Sequence, residues 1–494
     1  MKISEIVVFV IYLLFMLGIG FYFFFKSKDG SEKTYFLGGR QMGAWVTALS
    51  AGASDMSAWV LMGLPTSIYA LGLGQVWIPV GLAIGYTISW IVEAPRLRRF
   101  SIVANDSITI PQYLTNRFLS KSKALQVICA VVFLVAYTVY AASSVKACGT
   151  LFHTVIGIKE STAMYIATVI IVGYTFLGGF NAVCWTDFFQ GMLILAAMLI
   201  APIAAASVLT LSDTAVVAQQ TPGFWNAFAN WKDIASGLGW GLGYFGMPHI
   251  LLRFMAIENP DKVKVSRRVA EIWVVISMAV AVLIGVVGMA MIKEGALPEF
   301  KDSETIIVQI ANLLSKIGVV PALLAGVILA GILASTMSTA DSQLLAASSA
   351  ASENIIGGLF RIKLSETAQM IVARVTLIAI SVIGVVIAWD SNSSVFGIVS
   401  FAWAGFGAVF GPVMLLSLFW KRSNRYGALA GMIVGGVMVF VWKNAIAKLG
   451  GVFDIYELLP AFICGLLVNV IVSLLTPKPE KEITEVFDEL KNSK

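Results

Sequence analysis

From Met42 to Ile91 the chain carries a single charged side chain, Asp55. A run that long and that apolar belongs inside a bilayer, where every backbone N–H and C=O must find its partner within the protein. An α-helix satisfies those groups within one segment. An aspartate in the middle of such a segment costs about 3 kcal/mol, so it marks a functional site by default. Its neighbours, Ala51-Gly52-Ala53-Ser54 before it and Met56-Ser57-Ala58 after it, are small or hydroxylic. Gly52 invites the helix to loosen there. A loosened helix frees carbonyls that lipid cannot satisfy and a cation can. The octet is therefore expected to form one wall of an ion site at mid-membrane depth.

The rest of the chain has the same character. It is 494 residues long, 58% hydrophobic and 13% charged, against about 25% charged residues in soluble domains. Apolar runs long enough to span fall at roughly 5–26, 43–70, 75–95, 124–150, 161–179, 185–208, 234–256, 270–292, 317–348, 370–389, 395–420, 427–446 and 455–475, which gives about 13 helices. The first run lacks a small-residue cleavage pattern and reads as a helix that is kept. The four cysteines form no C-x-x-C pair, and there are two histidines. Neither a disulfide framework nor a zinc site is expected.

The net charge of +6 follows from topology and implies no nucleic acid. With the N-terminus outside, one alternate set of loops collects Lys26, Lys28, Lys33 and Arg40, then Arg96, Arg98, Arg99, Arg117, Lys121 and Lys123. The same set continues with Lys262, Lys264, Arg267 and Arg268, Arg361 and Lys363, and Lys421, Arg422 and Arg425. About 25 of the 34 basic residues fall on that side, which makes it cytoplasmic. An odd number of spans leaves the C-terminus there too. The tail 477–494 reads as solvated, with a short amphipathic helix through Ile483, Val486, Phe487 and Leu490 as the alternative. Outward loops 209–233 and 293–316 are long, and Ser303-Glu304-Thr305 can cap a surface helix. Gly427, Gly431 and Gly435 form a small-residue ridge for packing within the chain.

Three further places break the apolar rule. Between Gly237 and His249 lie five glycines at 237, 239, 241, 243 and 246, and Pro248. That segment is expected to come undone near its middle. Trp240, Tyr244 and Pro248 recur every fourth residue, so surviving turns put them on one face beside open backbone, a small pocket with an apolar floor. In the second place, Ser335, Ser338, Thr339 and Ser342 make one helical stripe with Asp341 close by. Oxygen ligands with few carboxylates suit a hard monovalent cation better than calcium or a transition metal. The other use of such hydroxyls is to bond back to their own helix. The third is Asp187, about a turn into its span, either a helix cap or a second cation ligand. Lys146 lies near the outer end of a long span and is expected to snorkel.

Two interrupted helices in corresponding places point to a secondary transporter with inverted repeats. The interruptions open two runs of five spans, 43–208 and 234–420, that start on opposite sides. The expected fold is thus an all-α polytopic membrane protein. A helix and loop (1–42) precede a first five-helix repeat (43–208), an external loop (209–233) and a second repeat (234–420). Two further helices (421–476) and a tail (477–494) complete it.

Several stretches resemble the solute:sodium symporter family, in its bacterial proline-carrying branch. They are Leu37-Gly38-Gly39-Arg40, Thr47 through Ser57, Met62-Gly63-Leu64-Pro65, Gly239 through Gly246 and Pro248-His249-Ile250-Leu251, with Trp403 to Gly407 and Gly427 to Met432 further on. The resemblance covers nearly the whole chain. It implies sodium held by the carbonyls of Ala53 and Met56 with Ser335, Ser338 and Thr339, and it matches Asp55 to an aspartate on which sodium dependence relies. It implies L-proline near Ser57, Tyr140, Trp240, Tyr244 and Pro248, and a coupling role for Arg40. Ala58 replaces a common glycine, Ser335 a common alanine, and Asp341 an uncharged residue. By the same resemblance, Asp187 with Ser338, Asp341 and Ser342 can build a second sodium site.

The expected function is sodium-coupled uptake of L-proline across the cell membrane by alternating access. Sodium is cargo here and not a prosthetic group, and no obligatory protein partner is expected. The alternatives are a carrier of another small solute (pantothenate, a monocarboxylate or a sugar) and a transporter-like sensor or channel. No nucleophile, base and orienter appear together, so no enzyme is expected.

Overall fold

The structure is a computed structural model and describes residues 2–26, 36–120, 124–207, 209, 222–299, 302–349, 365–389 and 394–492. Lys28, Lys33, Lys121, Lys123, Arg361, Lys363 and residues 210–221 of the long loop lie outside the described residues. Among those described there is no β-strand, and each expected apolar run falls on helix. Among the described residues, nine helical stretches are long and apolar enough to cross a membrane. Their outward side chains are large and apolar, as lipid-facing ones are: Ile203 is 69% exposed and Ile272 62%.

An outlying helix α1 (Ile3–Lys26) comes first. The first interrupted helix follows as α2 (Ala44–Ala58) and α3 (Leu64–Leu71), joined by a wide turn at Trp59–Gly63. Next are α4 (Trp77–Ile88), α5 (Ala94–Val103) and the short α6 (Ile110–Arg117). Two long elements, α7 (Ala124–Ile156) and α8 (Glu160–Ala206), complete the first half. The runs expected at 161–179 and 185–208 meet inside α8 at Gly179, whose φ of 58° breaks the helix. The second interrupted helix is α9 (Trp231–Trp240) and α10 (Pro248–Ala256). Then come α11 (Val263–Lys293), the short α12 (Ile306–Ile317), α13 (Val319–Ser349), α14 (Glu366–Ala388) and α15 (Val395–Phe419). The chain closes with α16 (Arg425–Val441), α17 (Leu458–Leu475) and α18 (Lys481–Asn492).

The first break differs in detail from the expectation. Gly52 is regular helix; a Cβ there would lie 2.7 Å from the Trp273 ring, so this glycine serves close packing on α11. The chain instead breaks at Ser57, with φ 48° and ψ −174°, a region that side chains rarely enter. Ser57 Oγ accepts the Trp59 N–H at 3.0 Å, a second acceptor for that group beside the Met56 carbonyl. In the second interruption, Gly241–Gly246 tightens into a 3-10 turn and Met247 turns extended, as a residue before proline must. Pro248 then starts α10. These glycines pack as well as break: a Cβ on Gly85 of α4 would collide with the Gly241 carbonyl oxygen, and one on Gly241 with that of Gly81.

Elsewhere the chain is held by specific contacts. Tyr12 of α1 accepts a hydrogen bond from Gln190 of α8 at 2.8 Å, which ties the extra helix to the core. The ridge at Gly427, Gly431 and Gly435 packs within the chain, against Asn469 and Gly465 of α17 and Ala408 of α15. Lys146 does not snorkel: it is buried and pairs with Glu160 at 2.9 Å, in the first turn of α8. The N-cap before Ser303-Glu304-Thr305 is Asp302, which leaves Glu304 for another task. The tail folds as α18 and buries Ile483 and Phe487, with Phe487 between Arg96 and Arg117.

Candidate functional site

Helix α2 has two working faces. Successive residues turn by about 100°, so positions three apart share a face and positions two apart do not. Ser50 and Ala53 face α8 and α13. Ser50 Oγ donates to Asp187 Oδ2 at 2.7 Å, and the Ala53 carbonyl accepts from Ser338 Oγ at 2.8 Å. Asp55 faces the second interrupted helix. Its Oδ2 accepts the Tyr244 hydroxyl at 2.6 Å, and its backbone carbonyl accepts from Tyr140 at 3.4 Å.

Next to Asp55 lies a cavity of about 10 Å³, lined by Asp55, Met56, Trp59, Leu82, Tyr140, Trp240, Tyr244, Met278, Val399 and Trp403. That is room for about one water, so a larger solute requires the walls to part. Trp240 stacks on Trp59 at 5.3 Å and on Tyr456 at 4.8 Å, and Phe396 leans on both tryptophans. Trp403 donates to the Trp240 carbonyl at 2.9 Å and stands edge-on to Tyr244. Of the five expected substrate residues, Tyr140, Trp240 and Tyr244 line this cavity. Ser57 and Pro248 shape the two backbone breaks beside it.

The expected cation stripe on α13 is fully buried. Ser338 alone reaches across to α2. Ser335 Oγ donates to the Ile332 carbonyl at 2.8 Å, and Thr339 Oγ1 to the Ser335 carbonyl at 3.1 Å, so both hydroxyls bond back to their own helix. The Met56 carbonyl accepts the Trp59 N–H across the break. One carbonyl of α2 and one hydroxyl of α13 thus meet.

Asp187 belongs to an ion pair that the sequence reading did not anticipate. Arg253 Nη2 lies 2.9 Å from Asp187 Oδ2, both side chains almost fully buried. Arg253 also donates to Ser50 Oγ at 3.1 Å, to Ser342 Oγ at 2.5 Å and to the His249 carbonyl at 2.9 Å. Ser342 lies 3.5 Å from Asp187, and the charge of Asp341 also acts on Arg253. Thus Asp187 and Ser342 do converge, around a guanidinium. The available signal was that Arg253 is the sole lysine or arginine between 234 and 256. Trp59 and Trp403 were also missed as cavity residues, because each reads locally as an ordinary apolar helix position.

The two ends of the site are fastened differently. At one end Arg40 donates to Asp106 at 3.0 Å, Ser101 at 3.0 Å, the Met255 carbonyl at 2.7 Å and the Ser107 carbonyl at 2.7 Å. Burial pulls its guanidinium below the usual value, and the Asp106 charge opposes this. A short parallel bridge between Met42 and Ile257 joins the same ends of the two interrupted helices. At the other end Thr66 of α3 donates to the Ser303 carbonyl at 2.7 Å. Glu304 accepts the first N–H groups of α15, from Val395 and Phe396, at 3.0 Å each. Burial pushes the Glu304 carboxyl above its ordinary value, and those two N–H bonds pull it back.

Comparison with known proteins supports the same architecture. The chain is 41% identical to the high-affinity proline transporter PutP of Bacillus subtilis (strain 168), over 97% of this chain and 99% of that one. It is 40% identical to the sodium/proline symporter of Salmonella typhimurium, over 98% and 95%. Among solved structures, a substrate-bound, outward-open Na+-coupled sialic acid symporter superimposes with a TM-score of 0.81 at 19% identity, over 97% of this chain and 99% of that one. A nucleobase-cation-symport-1 family transporter in a closed conformation gives 0.57 at 14% identity, over 92% and 98%. These two likenesses speak for the fold. The profile described as "Sodium:solute symporter family" matches residues 35–435, and with that match this multi-pass membrane protein belongs to the sodium:solute symporter family.

Proposed function

We propose that the protein carries L-proline into the cell together with sodium, by alternating access. The contact that carries this reading is the one between the Ala53 carbonyl and Ser338 Oγ, 2.8 Å apart beside the cavity of Asp55, Trp240 and Tyr244. It puts oxygen ligands from two helices next to an aromatic pocket for a small ring. The choice of proline is supported by the names of relatives about 40% identical over nearly their full length.

In this reading sodium sits between α2 and α13, on the carbonyls of Ala53 and Met56 with Ser338 and Thr339, and Ser335 behind them. The Ser338 and Thr339 hydroxyls turn from their present partners toward the ion. Bound sodium fixes the turn that follows Met56, and that orders the pocket for proline. The proline ring lies against Trp240 and Tyr244, with Tyr140 at its side; Ser57 and Pro248 hold the open backbone. Arg40 links the inner ends of both interrupted helices and transmits their movement. Each sodium moving inward is worth about 2.3 kcal/mol per 100 mV of potential.

Orientation follows from the same proposal. The Arg40 end and the C-terminus face the cytoplasm and the Glu304 end faces outward, in line with the positive charge at the Arg40 end. The five-plus-five partition at 43–208 and 234–420, a lipid environment without an obligatory protein partner and the absence of catalysis belong to it too. A second sodium at Asp187, Ser338, Asp341 and Ser342 belongs to the same reading and is supported by Ser342 Oγ lying 3.5 Å from Asp187 Oδ2. Sodium activation of uptake in Asp341→Ala and Asp187→Ala tests it, since an unchanged slope in both means one sodium. The main proposal is tested by proline uptake into proteoliposomes with and without a sodium gradient. Equal rates would overturn it.

A further inference from the structure

Two helices that wall the small cavity also line a second space. Tyr140 of α7 and Val399 and Trp403 of α15 face the cavity. Val139 and Ala402, each next to one of them in the chain, are turned about 100° away and line a groove on the outside of the bundle. The groove holds about 410 Å³ between α7, α15 and α16. Ala136, Ala402 and Val409 form its buried floor, while Val135 and Val437 on its two rims are each 54% exposed. Among the described residues, those that line it are all apolar. At membrane depth such a surface meets hydrocarbon.

Gly405 of α15 keeps the space open. Gly407 and Gly411, the next glycines of that helix, sit against Gly243 and Phe462 and have no room for a Cβ. A Cβ on Gly405 would meet nothing within 4 Å. Glycine weakens a helix interior. At 405 neither a close neighbour nor a left-handed backbone calls for it. The absent side chain leaves its volume to something outside the chain.

One end of the groove carries charge. Phe401 and Phe440 meet there edge-on, with ring centroids 5.1 Å apart. The Lys443 ammonium stands 4.6 Å over the Phe401 ring. Glu457 lies 3.4 Å from that ammonium and accounts for one of its three donors, and the Lys443 side chain is 41% exposed. Along α7 from Ile128 to Val139 the groove runs roughly 17 Å, about the depth of one leaflet of a hydrocarbon core about 30 Å thick. An anionic group at Lys443 with one hydrocarbon tail running into the membrane matches both the charge and the length.

We propose that this groove is a phospholipid site, with one acyl chain lying in it and the phosphate of an acidic headgroup at Lys443. The chain takes the volume that Gly405 leaves and packs between α7, α15 and α16. Since α7 and α15 carry the cavity on one face and the lipid on another, the lipid backs the cavity wall from one helix thickness away. The site is independent of which solute the cavity accepts.

The test reconstitutes the full-length protein into vesicles of phosphatidylethanolamine and phosphatidylglycerol, with a trace of phosphatidylglycerol that carries a photoactivatable diazirine at mid-chain. After illumination, adducts on α7, α15 and α16 are counted by peptide mass spectrometry against those on α11, whose Ile272 and Val275 are also exposed. A bound chain should label the groove about tenfold more per exposed residue than α11. Gly405→Leu fills the space from within and should lower groove labelling about tenfold, with α11 unchanged. Lys443→Gln should lower it about fivefold. Labelling spread evenly over the groove and α11, or a groove signal that Gly405→Leu leaves unchanged, overturns the site. A signal indifferent to Lys443→Gln overturns the headgroup assignment. Should Gly405→Leu fail to fold, Val135→Trp closes the groove from α7 and is read the same way. If a second copy of the chain covers this face instead, Val437→Cys in a background without the four native cysteines cross-links two copies in the same vesicles, and the lipid proposal fails.

Discussion

Tyr244 Oη donates to Asp55 Oδ2 across 2.6 Å, and this bond joins the two interrupted helices at the depth where both come undone. A hydroxyl bonded to a buried carboxylate is short and strong, worth about 1.5–3 kcal/mol. Tyr244→Phe keeps the ring that stands edge-on to Tyr86 and Trp403 and removes only the donor. Proline uptake per sodium-loaded carrier should fall by roughly 10- to 100-fold in kcat/KM, with the protein still folded. Initial rates in proteoliposomes over a range of proline concentrations measure this. An unaltered kcat/KM would mean that the bond does not matter to transport.

The cation stripe makes a graded forecast. Ser338 alone spans to the Ala53 carbonyl, whereas Ser335 and Thr339 now bond within α13. Ser338→Ala should raise the sodium concentration for half-maximal uptake by about tenfold, the worth of one good ligand. Thr339→Ala should shift it less, and Ser335→Ala least of all. Sodium activation curves at fixed proline give the order. Ser335→Ala with the largest shift would place the ion higher along α13 than argued above.

These two cases also show what could be read in the residues alone. The break near Asp55 was legible because small and hydroxylic residues in an apolar run have little other use. Its position at Ser57 was not, since only the Trp273 ring lying on Gly52 makes that glycine a packing residue. Trp240 and Tyr244 were legible from their spacing. Trp59 and Trp403 were not, because nothing local tells a pocket tryptophan from a lipid-facing one. Arg253 shows the same limit: its partner Asp187 is 66 positions away, and a lone arginine in a span does not say which carboxylate it will meet.

The Arg253–Asp187 pair gives a prediction about stability. Removing one partner strands the other charge in a buried site, which typically costs 3–5 kcal/mol, about what many proteins can spare. Arg253→Met should therefore lower the thermal stability of the detergent-solubilised protein sharply, and Asp187→Asn should lower it too. The double variant should be more stable than the sum of the two losses, by roughly 1–3 kcal/mol of coupling. Thermal unfolding followed by tryptophan fluorescence gives all four corners of the cycle. Strictly additive losses would mean that the two charges are each compensated by other groups.

At the opposite end the clamp made by Glu304 offers a test of gating. Its carboxylate binds the first two N–H groups of α15, and Phe396, which owns one of them, leans on Trp59 and Trp240 above the cavity. Thr66 of α3 holds the neighbouring Ser303, so one short turn fastens both the first interrupted helix and α15. Glu304→Ala takes away two charge-assisted bonds, and the equilibrium should shift toward arrangements with the roof parted. A cysteine placed at Val399, on the cavity wall, reports this in a background without the four native cysteines. Its labelling by a polar maleimide should quicken about tenfold in Glu304→Ala and much less in Glu304→Gln, which keeps one acceptor oxygen. Saturating sodium and proline should slow the labelling again in both variants, because bound cargo favours the closed roof. Labelling that is equally fast with and without Glu304 would leave it as a helix cap, and control of access would then rest with the aromatic stack alone.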